Sequence, residues 1–154
     1  MRHAAPATKI LLDERIDASL EEVSRVCAQV AALARSRGGE EWAGALDLGL
    51  TEAMTNVVRH GYSGRAGLYI DVRCTDDGQW LQLQLGDCGT PIPAPLWAAA
   101  DGSVFDFDSN DVQTVPEGGM GLSLIRACFD ESSYHSDAQG NHLLLRKRMP
   151  TGAA

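Results

Sequence analysis

A polar row on one predicted helix carries the residue types in this chain that could do chemistry. Glu52, Asn56 and His60 follow one another at four-residue intervals within residues 46–62, and this spacing places side chains along one side of an α-helix. A carboxylate, a carboxamide and an imidazole at the edge of a core require polar partners. A solvated flank would give the same pattern, so the row alone leaves both readings open. Beside the row runs an apolar stripe that marks the buried side of the helix: Leu46, Leu50, Ala53 and Val57.

A second candidate motif, Gly86-Asp87-Cys88-Gly89, follows an apolar strand pattern. The Asp87 carboxylate can accept a hydrogen bond from an exocyclic amine, and Gly89 would let a flat ligand approach the backbone. A simple Asp-x-Gly turn is the alternative for this motif.

A third motif, Glu117-Gly118-Gly119-Met120-Gly121-Leu122, opens a predicted helix. Free backbone N–H groups at a helix N-terminus suit phosphate oxygens, particularly where no side chain obstructs them. A glycine hinge for the preceding loop is the alternative here.

Alternating and helical patterns predict the elements that must position these motifs. A capping box at Ser19-Leu20-Glu21-Glu22 starts a helix that Gly38-Gly39 ends, and a second helix follows, with irregularity expected near Gly44 and Gly49. Asp76-Asp77-Gly78-Gln79 predicts a hairpin turn. The predicted strands cover residues 8–16, 68–74, 80–85, 131–136 and 142–148, and the predicted helices cover 20–37, 41–62 and 121–129.

These elements predict an α/β two-layer sandwich, with a mostly antiparallel sheet and the helices on one face. Residues 1–7 are expected to form a flexible tail, and residues 8–149 a single domain. Regular patterning breaks between residues 86 and 121, where prolines and acidic residues are frequent. A loop of this length in a compact domain is typically a functional lid or a disordered segment, and the lid is placed at about residues 90–117.

Composition narrows the class of protein. A formal net charge of −8 argues against direct nucleic-acid binding. The first residues lack a signal-peptide core and no apolar run reaches the ~20 residues of a membrane span, so a cytoplasmic protein without membrane contact is expected. The four cysteines have no C-x-x-C motif and no metal-site spacing with the four histidines. Reduced, mostly structural thiols are therefore expected.

The order and spacing of the three motifs resemble the GHKL ATPase superfamily with its Bergerat nucleotide-binding fold. The closest resemblance is to the anti-sigma-factor serine-protein kinases, the switch-protein branch, and it spans nearly the whole chain. Residues 51–62, which read TEAMTNVVRHGY, resemble the N-box of that branch, and residues 118–126, which read GGMGLSLIR, resemble its G2 box.

The resemblance implies a site for ATP or ADP with Mg²⁺. Asn56 would ligate the Mg²⁺, and Glu52 would be the general base that polarises the attacking hydroxyl. Asp87 would read the adenine amino group, with Gly89 beside the ring, and Gly119 and Gly121 would give backbone contacts to phosphates. His60 also matches the N-box, and either a site role or packing at the helix end is open to it.

One departure affects the lid. The G1 box of the family continues D-x-G-x-G, whereas here Pro91 replaces the second glycine, which would rigidify the first hinge of the lid.

The resemblance further implies a homodimeric protein-serine kinase that is also an anti-sigma factor. It would phosphorylate a STAS-domain anti-anti-sigma partner and sequester an RNA polymerase sigma factor. Two alternatives are a histidine-kinase ATPase module that acts in trans, because no helical hairpin with a phosphoacceptor histidine precedes the motifs, and a non-catalytic nucleotide-binding module.

Overall fold

The computed structural model describes residues 7–100 and 120–150. The predicted tail lies almost entirely outside these ranges, as do most of the predicted lid, Gly118 and Gly119. The elements, in chain order, are β1 Lys9–Asp17, α1 Leu20–Asn56, a π-helical turn Val57–Gly61, β2 Tyr69–Asp76, β3 Trp80–Asp87, α2 Ala94–Ala99, α3 Met120–Cys128, β4 Glu131–Asp137 and β5 Gly140–Arg148.

The five strands form one antiparallel sheet in the order β1-β2-β3-β5-β4, with the helices on one face. This confirms the predicted two-layer α/β architecture. In β3, Leu81, Leu83 and Leu85 are buried, whereas Gln84 is exposed on the opposite face. The pairing of β1 with β2 is irregular at one point, because its register shifts between Ile10 and Leu12.

Helix α1 contains the kink that the sequence predicted. Gly39 has φ 85° and ψ 176°, outside helical values, so two helices meet there. Ser19 caps the first one, and its hydroxyl accepts the Glu22 backbone N–H at 3.2 Å. The irregularity expected at Gly44 and Gly49 is wrong, because Gly39 is the one residue inside α1 with non-helical torsions. Gly49 instead lies where α1 contacts α3, against Cys128 and Phe129.

The end of the helix also differs from the prediction. Regular α-helix stops at Asn56, and the next residues form a π turn in which Tyr62 N donates to Val57 O at 2.8 Å. Such turns bond residue i to i+5 and occur frequently at functional sites. His60 lies within this turn, and its side chain lines the same cavity as Glu52 and Asn56.

The core lies between the helices and the inner face of the sheet. Tyr62, Leu46, Leu50, Met54 and Ile70 are among its largest fully buried side chains. Within the described ranges, every helix falls short of the length and apolarity that a bilayer crossing demands. The four cysteines are not paired with one another, and Cys88 is the exposed one.

Candidate functional site

A cavity of about 330 Å³ lies where the end of α1, the π turn, the end of β3 and the start of α3 meet. That volume falls within the range of roughly 300–1,000 Å³ typical of small-molecule sites. Five predicted site residues line it: Glu52, Asn56, His60, Asp87 and Gly121. A larger depression of about 590 Å³ lies on the opposite, open face of the sheet. The smaller cavity is the candidate site, because it gathers residues from three separated motifs.

Glu52 and Asn56 reach the start of α3 from one turn of α1. Both side chains are half-buried. A Cβ placed on Gly121 would collide with Glu52 Oε1 and would lie 3.3 Å from Asn56 Nδ2. The absence of a side chain at residue 121 therefore lets the carboxylate and the carboxamide lie against the helix N-terminus. Oxygen donors and free N–H groups together suit a Mg-bound phosphate.

Asp87 closes the other end of the cavity. Its Oδ1 accepts hydrogen bonds from Gly89 N and from Asn141 Nδ2, each at 2.9 Å. Among the described residues, no group donates to Oδ2, so this oxygen is available to an amine of a bound ring.

Asn141 fixes this carboxylate, and it is 3% exposed. Its Nδ2 also donates to Gly89 O at 2.9 Å, and its Oδ1 accepts the Ser136 hydroxyl at 2.8 Å. Because all of these bonds lie in a nearly buried position, they hold Asp87 in one orientation. The sequence did not reveal Asn141, since an asparagine after a glycine in a hairpin is an ordinary turn signal.

Gly89 lies in close contact with the backbone of Gly61. A Cβ there would lie 2.6 Å from both C and O of Gly61, and Thr90 N donates to Gly61 O at 2.8 Å. The missing side chain thus accommodates the π turn, and the predicted contact of Gly89 with a ligand stays a prediction. The same holds for Gly119, which lies outside the described residues.

Two tyrosines anchor the strands that border the cavity. The hydroxyl of Tyr62 donates to Tyr69 O at 2.6 Å and accepts the Cys88 N–H at 2.9 Å, and burial raises its pKa. The Tyr134 hydroxyl accepts the Ile92 N–H at 2.9 Å, and burial raises its pKa as well. A raised pKa keeps the proton on the phenol of Tyr62, which the bond donated to Tyr69 O requires.

Arg126 holds the first part of the predicted lid. Its Nη1 donates to Trp97 O at 3.1 Å and to Ala100 O at 2.9 Å, and its guanidinium lies 5.1 Å from the centre of the Trp97 ring. These contacts attach α2, a helix that the sequence patterning did not predict, to α3. In this position Arg126 stabilises the C-terminal end of α2.

The charge of the cavity is negative. Glu52 and Asp87 are acidic, and none of the described lining residues is a lysine or an arginine. Binding a polyphosphate here calls for a cation, and the carboxamide oxygen of Asn56, beside Gly121, is of the type that would hold Mg²⁺. Neutralisation of phosphate charge is the chemistry that Mg²⁺ supplies when bound.

Comparison with known proteins agrees with this geometry. A search of the curated proteins found no match to the chain. The histidine kinase-like ATPase domain family matches residues 16–147, a range that contains all of the predicted site residues, and this match supports ATP binding. The chain belongs to the histidine kinase-like ATPase domain family.

Proposed function

We propose that this protein is an ATP-dependent protein-serine kinase and anti-sigma factor that phosphorylates a STAS-domain partner and sequesters a sigma factor. One observation carries the proposal. A carboxylate that can act as a base, Glu52, lies beside Asn56 against the start of α3, while the adenine-reading candidate Asp87 closes the other end of the same cavity.

In the proposed reaction, the chain positions a serine hydroxyl and removes its proton. Asn56 would hold the Mg²⁺, and Asp87 Oδ2 would accept a hydrogen bond from the adenine amino group. Glu52 takes the hydroxyl proton as the serine oxygen bonds to the transferred phosphoryl group and the bond to the ADP oxygen breaks. The acidic surroundings favour a neutral, hydrogen-bonding hydroxyl as the acceptor over an anionic one.

A protein substrate also fits the location of Glu52. The carboxylate is half-buried on the cavity wall, so a loop of another protein can reach it. The proposal also includes the two protein partners, the STAS-domain protein and the sigma factor. It further holds that the protein is a homodimer and lies in the cytoplasm.

The direct test is incubation of the protein with Mg-ATP and the STAS-domain protein encoded beside its gene. The expected product is an acid-stable phosphoserine in the partner, located by phosphopeptide mapping. Glu52→Gln should lower the phosphorylation rate by about 10²–10⁴-fold with nucleotide binding retained, and Asn56→Ala should abolish Mg-dependent nucleotide binding. Glu21→Gln is the matched control, because Glu21 is an exposed carboxylate on the same helix.

Two results would overturn parts of the proposal. An acid-labile phosphate would identify a histidine phosphotransfer module and exclude the serine kinase. Full phosphotransfer by Glu52→Gln would show that Glu52 is not the base.

A further inference from the structure

A cluster of two imidazoles and one carboxylate lies on the β4–β5 hairpin, outside the nucleotide cavity. His135 and His142 are directly opposite each other in the strand pairing, and Asp137 lies two residues beyond His135, on the same face of the sheet. Sequence spacing did not reveal the cluster, because the two histidines are seven residues apart and meet only through the pairing of the strands.

The three side chains converge on one point. Asp137 Oδ1 lies 3.2 Å from His142 Nε2, and Asp137 Oδ2 lies 3.7 Å from His135 Nε2. One ligand atom from each residue lies within 4.8 Å of the other two. A tetrahedral metal with bonds of about 2.0–2.1 Å needs ligand atoms about 3.3 Å apart, and small rotations of these exposed side chains reach that spacing from the separations observed.

The two imidazole rings lie against each other on the hairpin. They are stacked with centroids 4.6 Å apart and an interplanar angle of 22°. Imidazole nitrogens are the commonest metal ligands in proteins, and this stacking brings two of them to the same carboxylate.

The turn backbone holds the carboxylate for this role. Gln139 N donates to Asp137 Oδ1 at 2.8 Å. This bond orients the carboxylate toward the two imidazoles, as hydrogen bonds from neighbouring groups typically orient metal ligands.

We propose that His135, Asp137 and His142 form a binding site for a divalent transition-metal ion of the Zn²⁺ or Ni²⁺ class. Two imidazole ligands select such ions over Mg²⁺, which prefers oxygen. The side chains are 70%, 47% and 40% exposed for His135, Asp137 and His142 respectively, so solvent completes the coordination. This site is separate from the proposed Mg²⁺ ligand Asn56, which lines the nucleotide cavity on the opposite face of the sheet.

The test is calorimetric titration of the metal-free full chain with Zn²⁺, and separately with Ni²⁺, in excess Mg²⁺. One equivalent should bind, and His135→Gln or His142→Gln should weaken the affinity at least about tenfold, because even residues that only support metal ligands typically contribute 10–100-fold. Cys88→Ser, which removes the exposed thiol in the same depression, should bind like the wild type.

A second readout needs no variant. In ¹⁵N spectra of the wild-type protein, the Nε2 resonances of His135 and His142 should shift together on addition of one equivalent of Zn²⁺, and that of His60 should not. Unchanged affinity in the double variant His135→Gln/His142→Gln, loss of binding in Cys88→Ser, or an unshifted pair of resonances would overturn the proposal.

Discussion

At the residue scale, Asn141 connects two parts of the chain that approach each other only in the folded state. It joins the G1-type motif at the end of β3 to the β4–β5 hairpin, through bonds to Asp87, Gly89 and Ser136. Asn141 does not line the nucleotide cavity, so it affects a ligand by orienting the Asp87 carboxylate.

Asn141→Ala should therefore weaken nucleotide binding without removing a group that touches the ligand. The Asp87 carboxylate loses a donor and Gly89 O is left unsatisfied, so we expect a loss of about 1–3 kcal/mol in the free energy of unfolding. Affinity for ATP should fall by roughly tenfold, as for loss of one oriented hydrogen bond. Chemical denaturation and fluorescence titration measure the two effects.

Ser136→Ala is the graded control for this prediction. It removes one hydrogen bond to Asn141 Oδ1 and leaves the two bonds donated by the carboxamide in place. Its effect on ATP affinity should be several-fold smaller, and equal effects of the two substitutions would contradict the positioning role.

The residues of the site were predictable to different degrees. Glu52 and Asn56 share a helix, so periodicity alone placed them together. Gly121 could be matched to a motif, but its contact with Glu52 depends on how α3 crosses α1. His60 lies within the π turn, and that turn does not follow from a pattern that assumes 3.6 residues per turn.

At the element scale, α1 and α3 pack closely because a glycine lies at their crossing. A Cβ on Gly49 would lie 2.7 Å from Cys128 Cβ and 2.7 Å from Phe129 Cε2. Since α3 carries Gly121 at its start, this crossing also sets the distance between α3 and the Glu52–Asn56 turn.

Gly49→Ala should destabilise the fold by about 1–3 kcal/mol, the typical cost of overpacking. Gly44→Ala is the matched control, because it lies on the same helix with no atom within 4 Å of its Cβ position. Removing a helical glycine there should stabilise by about 0.5–1 kcal/mol. Urea denaturation of both variants checks the opposite signs, and two changes of the same sign would show that packing does not decide the effect.

The beginning of the lid depends on α3 through Arg126. Arg126→Gln should release the end of α2, because a carboxamide cannot reproduce the two bonds from one nitrogen or the contact with the Trp97 ring. We expect faster amide hydrogen exchange at residues 97–100 by at least about tenfold. Arg35→Gln, an exposed arginine paired with Glu40, should leave that exchange unchanged. Unaltered exchange in Arg126→Gln would show that other contacts hold α2.

At the scale of the whole molecule, local signals predicted the hairpins β2–β3 and β4–β5 but could not give the pairing between them. Turn residues specify each hairpin, whereas β3 pairs along its full length with β5 although the lid, α3 and β4 intervene in the chain. The sequence patterning also failed to predict α2, because a short segment that contains a proline and follows another resembles a loop.

A partly buried ion pair joins the helical layer to the sheet. Arg37, near the kink in α1, donates from Nε to Asp76 Oδ2 at 2.8 Å, and the side chains are 23% and 15% exposed respectively. Burial of the Asp76 carboxyl opposes its ionisation, but the hydrogen bonds from Arg37 and from Gly78 N outweigh that effect. The pKa of Asp76 therefore lies below its ordinary value of 3.8.

This depressed pKa predicts the pH dependence of stability. A carboxyl whose pKa is lower in the folded state stabilises the protein above the pKa of the unfolded state, and the contribution is lost as pH falls through the folded pKa. Asp76→Asn should thus lower the free energy of unfolding by about 1–2 kcal/mol at neutral pH, and the difference from wild type should shrink as pH falls below 3.8. Urea denaturation between roughly pH 3 and pH 7 measures this difference in the free energy of unfolding.

Asp13→Asn is the control. It breaks an exposed pair with Arg73, and it should have a smaller effect because solvent screens that pair. Equal losses in the two variants, or a loss in Asp76→Asn that does not change with pH, would show that this link between the layers does not stabilise through its charge.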